Sequence, residues 1–532
     1  MQKKGKLELT WVGKYDTKDV EPRVLVEDSH KSYGDPDSKN MLIQGDNLIA
    51  LQSLQQDFAG KIKCIYIDPP YNTGSAFEQY DDSISHSIWL SLMRDRLSLL
   101  WELLTDENGV LLISINDDEC HYLKVLCDEL FGRDKFIATL IWNYEGNTDN
   151  QAKIINYHEY ILVYSKTGVI DDTDVIDPNV GSSSKLYKNE IRNTIIKNGR
   201  KNPPKTVVIP SGFPCSFSEG VIEKKNVQFP QYSKDIQVKD YRTVNSVEAT
   251  TGWSSKALLE EFISKNFTEI TDSKGQRTVF EMKPTGAIEA VKIRESSKGH
   301  FVSVLRGFGT TNQMRLLLEK LGLKFSYPKP VKLIEYLIDA FSGPNDYILD
   351  SFAGSGTTAH AVMHLNYEKR TNRKFILVEL SNATMQEIII PRLRHVVDGC
   401  PEAELPACGS GFKYYDLAES LLVRHPILPL MQVNPKYNFD MICEAICRIE
   451  GFKYAPKGIF HGYSSEKRFI HITKEFINAE YIKSVSATLS DDQSLLIYGT
   501  KIQSDLQLPE NIEVKKIPKD LLQKCTFESE VR

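Results

Sequence analysis

At 532 residues the chain exceeds what one ordinary hydrophobic core organises, so about two to four domains are expected. Hydrophobic residues at 41%, charged residues at 26% and aromatic residues at 10% exclude wholesale disorder. The net charge of -6 does not advertise nucleic-acid binding, but residues 151–310 carry 23 Lys+Arg against 18 Asp+Glu, and the remainder sums to -11.

No apolar run approaches the roughly 20 residues of a membrane span, and the start, MQKKGKLELTW, has no apolar signal core, so a cytoplasmic protein without membrane contact is expected. The nine cysteines are scattered, with neither a CxxC pair nor a Cys/His cluster at zinc spacing. No metal site is expected, and Cys443 and Cys447 read as buried thiols.

In chain order, a polar, turn-rich stretch containing SYGDPDSKN leads into a short strand at 41–44 and a helix marked by Leu48, Leu51 and Leu54. A second strand, KIKCIYID, stops at PPYNTG, and the pair looks like a βαβ unit. Alternation continues through SISHSIWLSLMRDRLSLLWELL, VLLISI, HYLKVLCDELFG, IATLIW and EYILVYSK, which predicts an α/β fold with a mainly parallel sheet. Between about 144 and 310 the regular alternation gives way to Ser, Asn, Lys, Pro and short β-rich pieces, which reads as an inserted domain. Within it, KLYKNEIRNTIIKNGRKNPPK (185–205) carries seven basic residues against Glu190 alone. Lys197, Arg200, Lys201 and Lys205 are its candidate phosphate contacts, although a solvated surface face has the same composition. Regular patterning resumes with a helix at 331–342 and strands at 346–350 and 374–380, and a separate C-terminal domain is expected from about 401.

Two constellations carry chemistry. DSFAGSGTTAHA (350–361) is a strand, a glycine turn and a helix start, where backbone can approach a ligand closely and unpaired N–H groups are available. No lysine follows Gly356, so it is not an ATP-binding P-loop, and the third glycine of a dinucleotide loop is missing. Glu379, 25 residues after Gly354 at the end of the next strand, stands where a carboxylate can accept from ribose hydroxyls.

The second constellation is Asp68, Pro69, Pro70 and Tyr71, at the end of a strand. The prolines fix the backbone and leave carbonyls free to face a pocket. Asp68 and the Pro69 carbonyl can accept both hydrogens of an amine on a flat ring, while Tyr71 stacks on the ring face. Such an amine is a poor nucleophile because its lone pair is delocalised. Accepting from both N–H bonds favours pyramidal nitrogen and frees that pair.

FAGSGTT and DPPYNTG together resemble the DNA amino-methyltransferase family, and their order, catalytic motif before cofactor loop, resembles its β class. More closely, the chain resembles the Mod subunits of type III restriction-modification systems, through KLELTWVGK, EPRVLVED, GDNLIAL, HEYILVYSK and YPKPVKLIEYLI as well. The resemblance covers most of residues 1–400. It implies a Rossmann-like S-adenosylmethionine-dependent sheet with an inserted target recognition domain and a small C-terminal α+β domain. The implied division is 1–143 for the catalytic half, 144–310 for target recognition, 311–400 for the cofactor half, and 401–532 for dimer or partner contact.

By the same resemblance Asp68, Pro69, Pro70 and Tyr71 are catalytic. Phe352, Ala353, Gly354, Gly356 and Thr357 form the S-adenosylmethionine loop, with Asp350 toward the methionine amine, Glu379 toward the ribose, Asp46 across the pocket, and Lys329 with Pro330 shaping the methionine end. Ser351 stands where the family more often has proline. The implied activity is methylation of N6 of a flipped-out adenine in double-stranded DNA. The implied partners are a second copy of the chain and a Res helicase-nuclease subunit. The alternatives are a cytosine-N4 methyltransferase, in which serine more often replaces the leading aspartate, and a non-catalytic DNA-binding specificity subunit.

Overall fold

The computed structural model describes residues 8–527 except 17–19, 74–84, 145–155, 174, 182, 185–186, 189, 225–228, 274 and 294–300. Gly74 of DPPYNTG and Lys185, Leu186 and Asn189 of the basic stretch lie outside the described residues. By its contacts the chain forms two compact units, Met1–Asp171 with Val302–Arg532, and Asp172–Phe301.

The first unit is built around its largest sheet. Its strands lie in the order Leu25–Glu27, Gly411–Leu417, Met41–Gln44, Lys374–Glu379, Tyr347–Asp350, Ile62–Ile67, Val110–Ile115, His158–Ser165, Phe136–Asn143, Val304–Leu305. The six neighbouring strands from Gly411–Leu417 to Val110–Ile115 are mutually parallel. The central strands are buried almost throughout, which requires apolar residues on both faces and explains runs such as IKCIYI and VLLISI. Helix Asn47–Phe58 packs Leu48, Leu51 and Leu54 inward, and His86–Leu103 buries Trp89, Met93, Leu97 and Leu100 in the same core.

Met41–Gln44 and Ile62–Ile67, which read in the sequence as one βαβ unit, are not neighbours. Tyr347–Asp350 and Lys374–Glu379 pair between them. The connection from Tyr347–Asp350 runs through helix Thr357–Lys369 toward one edge, and that from Ile62–Ile67 runs through helix His86–Leu103 toward the other. The strand order therefore reverses between Tyr347–Asp350 and Ile62–Ile67, where open α/β sheets carry a ligand crevice at the strands' carboxyl ends.

The inserted unit is shorter than 144–310. His158–Ser165 runs antiparallel between Val110–Ile115 and Phe136–Asn143, and Val304–Leu305 pairs with Ile141 and Trp142. Sheet pairing thus keeps both flanks in the first unit, and the second spans Asp172–Phe301. Among its described residues the second unit is mainly antiparallel β, with sheets of four, three and three strands and the helix Lys256–Ser264. Its core gathers Phe213, Trp253, Phe262, Phe280 and Met282.

The C-terminal region is less separate than the sequence suggests. Gly411–Leu417 joins the main sheet beside Met41–Gln44, and only then does a five-stranded sheet from Lys453–Lys457 to Ile512–Lys516 form. Helix Phe439–Ile449 is fastened to helix Asn47–Phe58 by Arg448, which donates to the Ser53 carbonyl at 2.7 Å and to Asp57 at 3.2 Å. Cys443 and Cys447 are buried in this region's core. No described helix is long and apolar enough to cross a membrane.

Candidate active site

The strand reversal brings the two distant motifs together. Leu349 pairs with Ile65 and Ile348 with Cys64, so the turn after Asp350 and the turn after Ile67 leave the same sheet edge side by side. Glu379 pairs with Gln44, which places Asp46 two residues beyond that same edge.

On one side of the reversal lies the glycine loop. Asp350 is buried and accepts from Phe352 N at 3.0 Å and Thr358 Oγ1 at 2.5 Å, tying the end of its strand to the following helix. Ala353 N donates to the Val378 carbonyl, and Thr357 Oγ1 donates to the Lys329 carbonyl at 3.3 Å. Gly354 has φ +52°, and its N–H donates to Glu379 Oε2 at 3.0 Å, while Glu379 Oε1 accepts from Ser381 N at 2.9 Å. Burial raises Asp350 to about 7, with the Asp68 and Glu379 carboxylates adding to the rise, and burial raises Glu379 to about 7 as well. Asp46 caps helix Asn47–Phe58, accepting from Leu48 N at 2.8 Å and Ile49 N at 3.3 Å, and its other oxygen lies 3.3 Å from Arg96.

The loop is braced from behind by Arg392, fully buried, whose Nη1 donates to the Ser355 carbonyl and hydroxyl at 2.9 Å and to Thr357 Oγ1 at 3.0 Å. Asn47 Nδ2 donates to the Ser351 carbonyl at 2.8 Å. Neither residue stands out in the sequence, because each acts through contacts formed across long chain separations.

On the other side, the Pro70 carbonyl accepts from Trp89 Nε1 at 2.9 Å, which anchors the Pro-Pro turn to helix His86–Leu103. Asp68 faces Tyr71, Lys329 and Glu159 as one cluster. Tyr71 donates through its hydroxyl to Asp68 Oδ1 at 2.8 Å and Glu159 Oε2 at 2.9 Å. Lys329 Nζ lies 2.8 and 2.7 Å from the two Asp68 oxygens, 3.0 Å from the Tyr71 hydroxyl and 3.3 Å from Glu159 Oε2. Burial lowers the Lys329 ammonium's affinity for its proton, but the Asp68 and Glu159 carboxylates outweigh this and hold it above its ordinary range.

The family resemblance places Lys329 in the cofactor segment. Its carbonyl does meet Thr357 of the glycine loop, but its ammonium sits on Asp68. Glu159 belongs to a strand and a resemblance motif, and an acidic residue in the largely buried strand HEYILVYS is itself a signal.

The four candidate DNA contacts belong to the second unit. Lys197, Arg200, Lys201 and Lys205 are all exposed, whereas Arg192 of the same stretch is held by Glu190 and Glu281. The 197–202 turn is a built loop. Asn198 Oδ1 accepts from Gly252 N at 2.6 Å and Thr251 Oγ1 at 3.2 Å, and a Cβ on Gly252 would lie 2.4 Å from the Asn202 carbonyl.

A fold with its reversal at this point, a glycine loop on one side and Asp-Pro-Pro-Tyr on the other, defines a methyltransferase site for amino groups. The family model for DNA methylases matches residues 62–390, and the chain belongs to that family. It is similar to the EcoP15I Mod subunit of Escherichia coli, a type III restriction-modification enzyme, at 24% identity over 95% of this chain and 89% of that one. It is 30% identical to the EcoPI Mod subunit of Escherichia phage P1 over 70% of this chain and 63% of that one. The type II methyltransferase M.KpnI of Klebsiella pneumoniae is 28% identical over 67% of this chain and 88% of its own.

The residues present fit S-adenosylmethionine, the family's cofactor. A Cβ placed on Gly354 would make only ordinary contact, with Phe325 Cζ at 3.6 Å and the Phe352 carbonyl oxygen at 3.9 Å, so the chain itself does not crowd this face of the loop. Burial is the main cause that raises Asp350, with the Asp68 and Glu379 carboxylates adding to it, and such a collection of acceptors suits a ligand that carries net positive charge and ribose hydroxyls.

Proposed function

We propose that this DNA methylase transfers a methyl group to N6 of an adenine flipped out of duplex DNA, as the modification subunit of a type III restriction-modification system. The observation that carries the reading is the meeting of Asp68 and Gly354 at one strand reversal, although 286 positions separate them in the sequence. Bound S-adenosylmethionine supplies an electrophilic methyl group on a sulfonium centre.

The chain's own residues supply the rest. Glu379 and the glycine loop hold the nucleoside end of the cofactor, and Asp350 keeps the loop folded onto its helix while adding negative charge beside the cationic end. Asp68 and the Pro69 carbonyl accept from the N6 hydrogens, which localises the lone pair on nitrogen and orients it. Tyr71 offers an aromatic face to the base, its ring held in place through its hydroxyl. An extruded base is required because the amine and the ring face are hidden in a duplex. Aspartate in the leading position, where serine is commoner in cytosine-N4 enzymes, favours adenine.

The same reading assigns target recognition to the second unit, with Lys197, Arg200, Lys201 and Lys205 on phosphates. It makes the protein a cytoplasmic homodimer that partners a Res subunit. Exposed Ile427, Leu428 and Leu430 in the C-terminal region offer an apolar contact for a protein partner. Tritium transfer from labelled S-adenosylmethionine to unmodified DNA, with RNA and protein as control acceptors, tests the activity. Label in DNA alone is expected, and label only in RNA or protein would overturn the reading.

A further inference from the structure

The cluster around Asp68 has a feature that the methyl-transfer reading does not use. A carboxylate offers about four lone-pair sites, and three of those on Asp68 are engaged, two by the Lys329 ammonium and one by the Tyr71 hydroxyl. The group meant to receive the substrate amine is thus already neutralised by a cation. Lys329 must withdraw, at least in part, before Asp68 can act on an amine.

A buried ammonium does not withdraw into nothing, because leaving it unpaired is strongly unfavourable. Glu159 is the second carboxylate within ion-pair reach, with Oε2 at 3.3 Å, and it shares the Tyr71 hydroxyl with Asp68. Lys329 is flanked by the Tyr71 ring at 5.0 Å and the Trp142 ring at 6.0 Å, so its path between the two carboxylates runs across aromatic faces that tolerate a cation.

Charge counting leads the same way. Two carboxylates facing one ammonium leave a single negative charge over. During transfer the amine lone pair forms the new N–C bond while the S–C bond breaks and its pair returns to sulfur. The nitrogen is then cationic until it sheds a proton, for which the Asp68 carboxylate is the adjacent acceptor. With Glu159 ionised, Asp68 can carry the surplus charge toward that nitrogen. Without the Glu159 charge, Lys329 stays on Asp68 and no surplus remains.

We propose that Glu159 is a positioning residue that takes Lys329 from Asp68 when the substrate amine enters, releasing the catalytic carboxylate. This rests on the methyl-transfer reading above, and the test separates the two. Glu159→Gln keeps an acceptor for the Tyr71 hydroxyl and removes only the charge. Its single-turnover tritium transfer to unmodified plasmid DNA should fall by about 10²-fold, in the range for loss of a preorganised electrostatic partner. Calorimetric affinity for S-adenosylmethionine should stay unchanged.

The decisive measurement is the double variant. If Glu159 serves to draw Lys329 away, then adding Lys329→Met to Glu159→Gln should restore transfer by about tenfold or more, a non-additivity expected only of coupled groups. A purely structural Glu159 would give a loss that Lys329→Met deepens or leaves alone. Glu159→Gln at wild-type rate, or a double variant no faster than Glu159→Gln, overturns the proposal while the activity stands. A wild-type chain that transfers no label overturns both. Should Glu159→Gln fail to fold, the double variant, which leaves no unpaired buried charge beside Asp68, decides: transfer about tenfold or more above that of Asp68→Ala is expected, and transfer at the level of Asp68→Ala contradicts the proposal.

Discussion

Asp68 receives the Tyr71 hydroxyl and the Lys329 ammonium yet remains part-exposed, so its oxygens are held in place while one side stays open to a substrate. Asp68→Ala should abolish transfer, by about 10²-fold or more, because a preorganised contact to the reacting amine is lost. Cofactor affinity should stay close to wild type, and turnover within about tenfold of wild type would remove Asp68 from the mechanism. Glu379 makes a pH-dependent prediction. Burial raises its carboxyl to about 7, and only the ionised form accepts from ribose hydroxyls at both oxygens. Cofactor binding should therefore release a proton near neutrality, and affinity should fall as pH is lowered from 8 to 6, by up to about tenfold for one group. The sign for folding is opposite: a raised carboxyl contributes stability that is present below its unfolded value and lost as pH rises through about 7. Calorimetry in buffers of different ionisation enthalpy reads both effects, and Glu379→Gln should flatten the pH dependence of binding. A wild-type affinity that does not change across this range would contradict the assignment.

The glycine loop and the strands beside it act as one element, and its two glycines should answer differently to substitution. Gly354, at φ +52°, would place a Cβ in only ordinary contact with Phe325 Cζ at 3.6 Å, so Gly354→Val, beyond the left-handed backbone strain common to both positions, should cut cofactor affinity steeply. Gly356, at φ +76°, would place a Cβ 3.2 Å from Ile389 Cγ2, so Gly356→Ala should destabilise the fold, with about 1–2 kcal/mol from the left-handed backbone alone. Thermal melting and calorimetry together separate these outcomes, and identical effects of the two changes would contradict the distinction. The elements carrying this site were legible in the sequence because their signals are local: apolar runs ending at Asp-Pro-Pro-Tyr and at Asp-Ser-Phe, and helical spacing after each. What was not legible depended on pairing across the chain. His158–Ser165 looks like any buried strand until Val110–Ile115 and Phe136–Asn143 close on it, which moves the insertion's start to Asp172. Glu159 reaches Lys329 and Tyr71 only through that pairing, Lys329 meets Asp68 across 261 positions, and Arg392 reaches the loop across 37 positions to Ser355. The seam between the cofactor half and the C-terminal region shifted for the same reason, since Gly411–Leu417 reads as a loop-flanked strand with no local sign that it joins Met41–Gln44.

At the scale of the molecule, an acidic chain must bind a polyanion through a local surface. Lys197, Arg200, Lys201 and Lys205 are exposed on and beside a turn pinned to Gly252 and Trp253, and neutralising all four should lower the slope of log affinity against log salt by up to about four units. An unchanged slope would mean that the stretch is only a solvated face. Cofactor affinity, which belongs to the first unit, should not move. Light scattering on and off DNA reads the proposed dimer, and a monomer in both states would contradict it. Which atom receives the methyl group is read on the product itself. Unmethylated DNA incubated with the purified chain and S-adenosylmethionine, then digested to nucleosides and read in parallel by modification-sensitive long-read sequencing, should contain N6-methyldeoxyadenosine at one recurring sequence context, and the Asp68→Ala chain should yield none. N4-methyldeoxycytidine as the product, or no methylated base despite bound cofactor and DNA, would contradict the account.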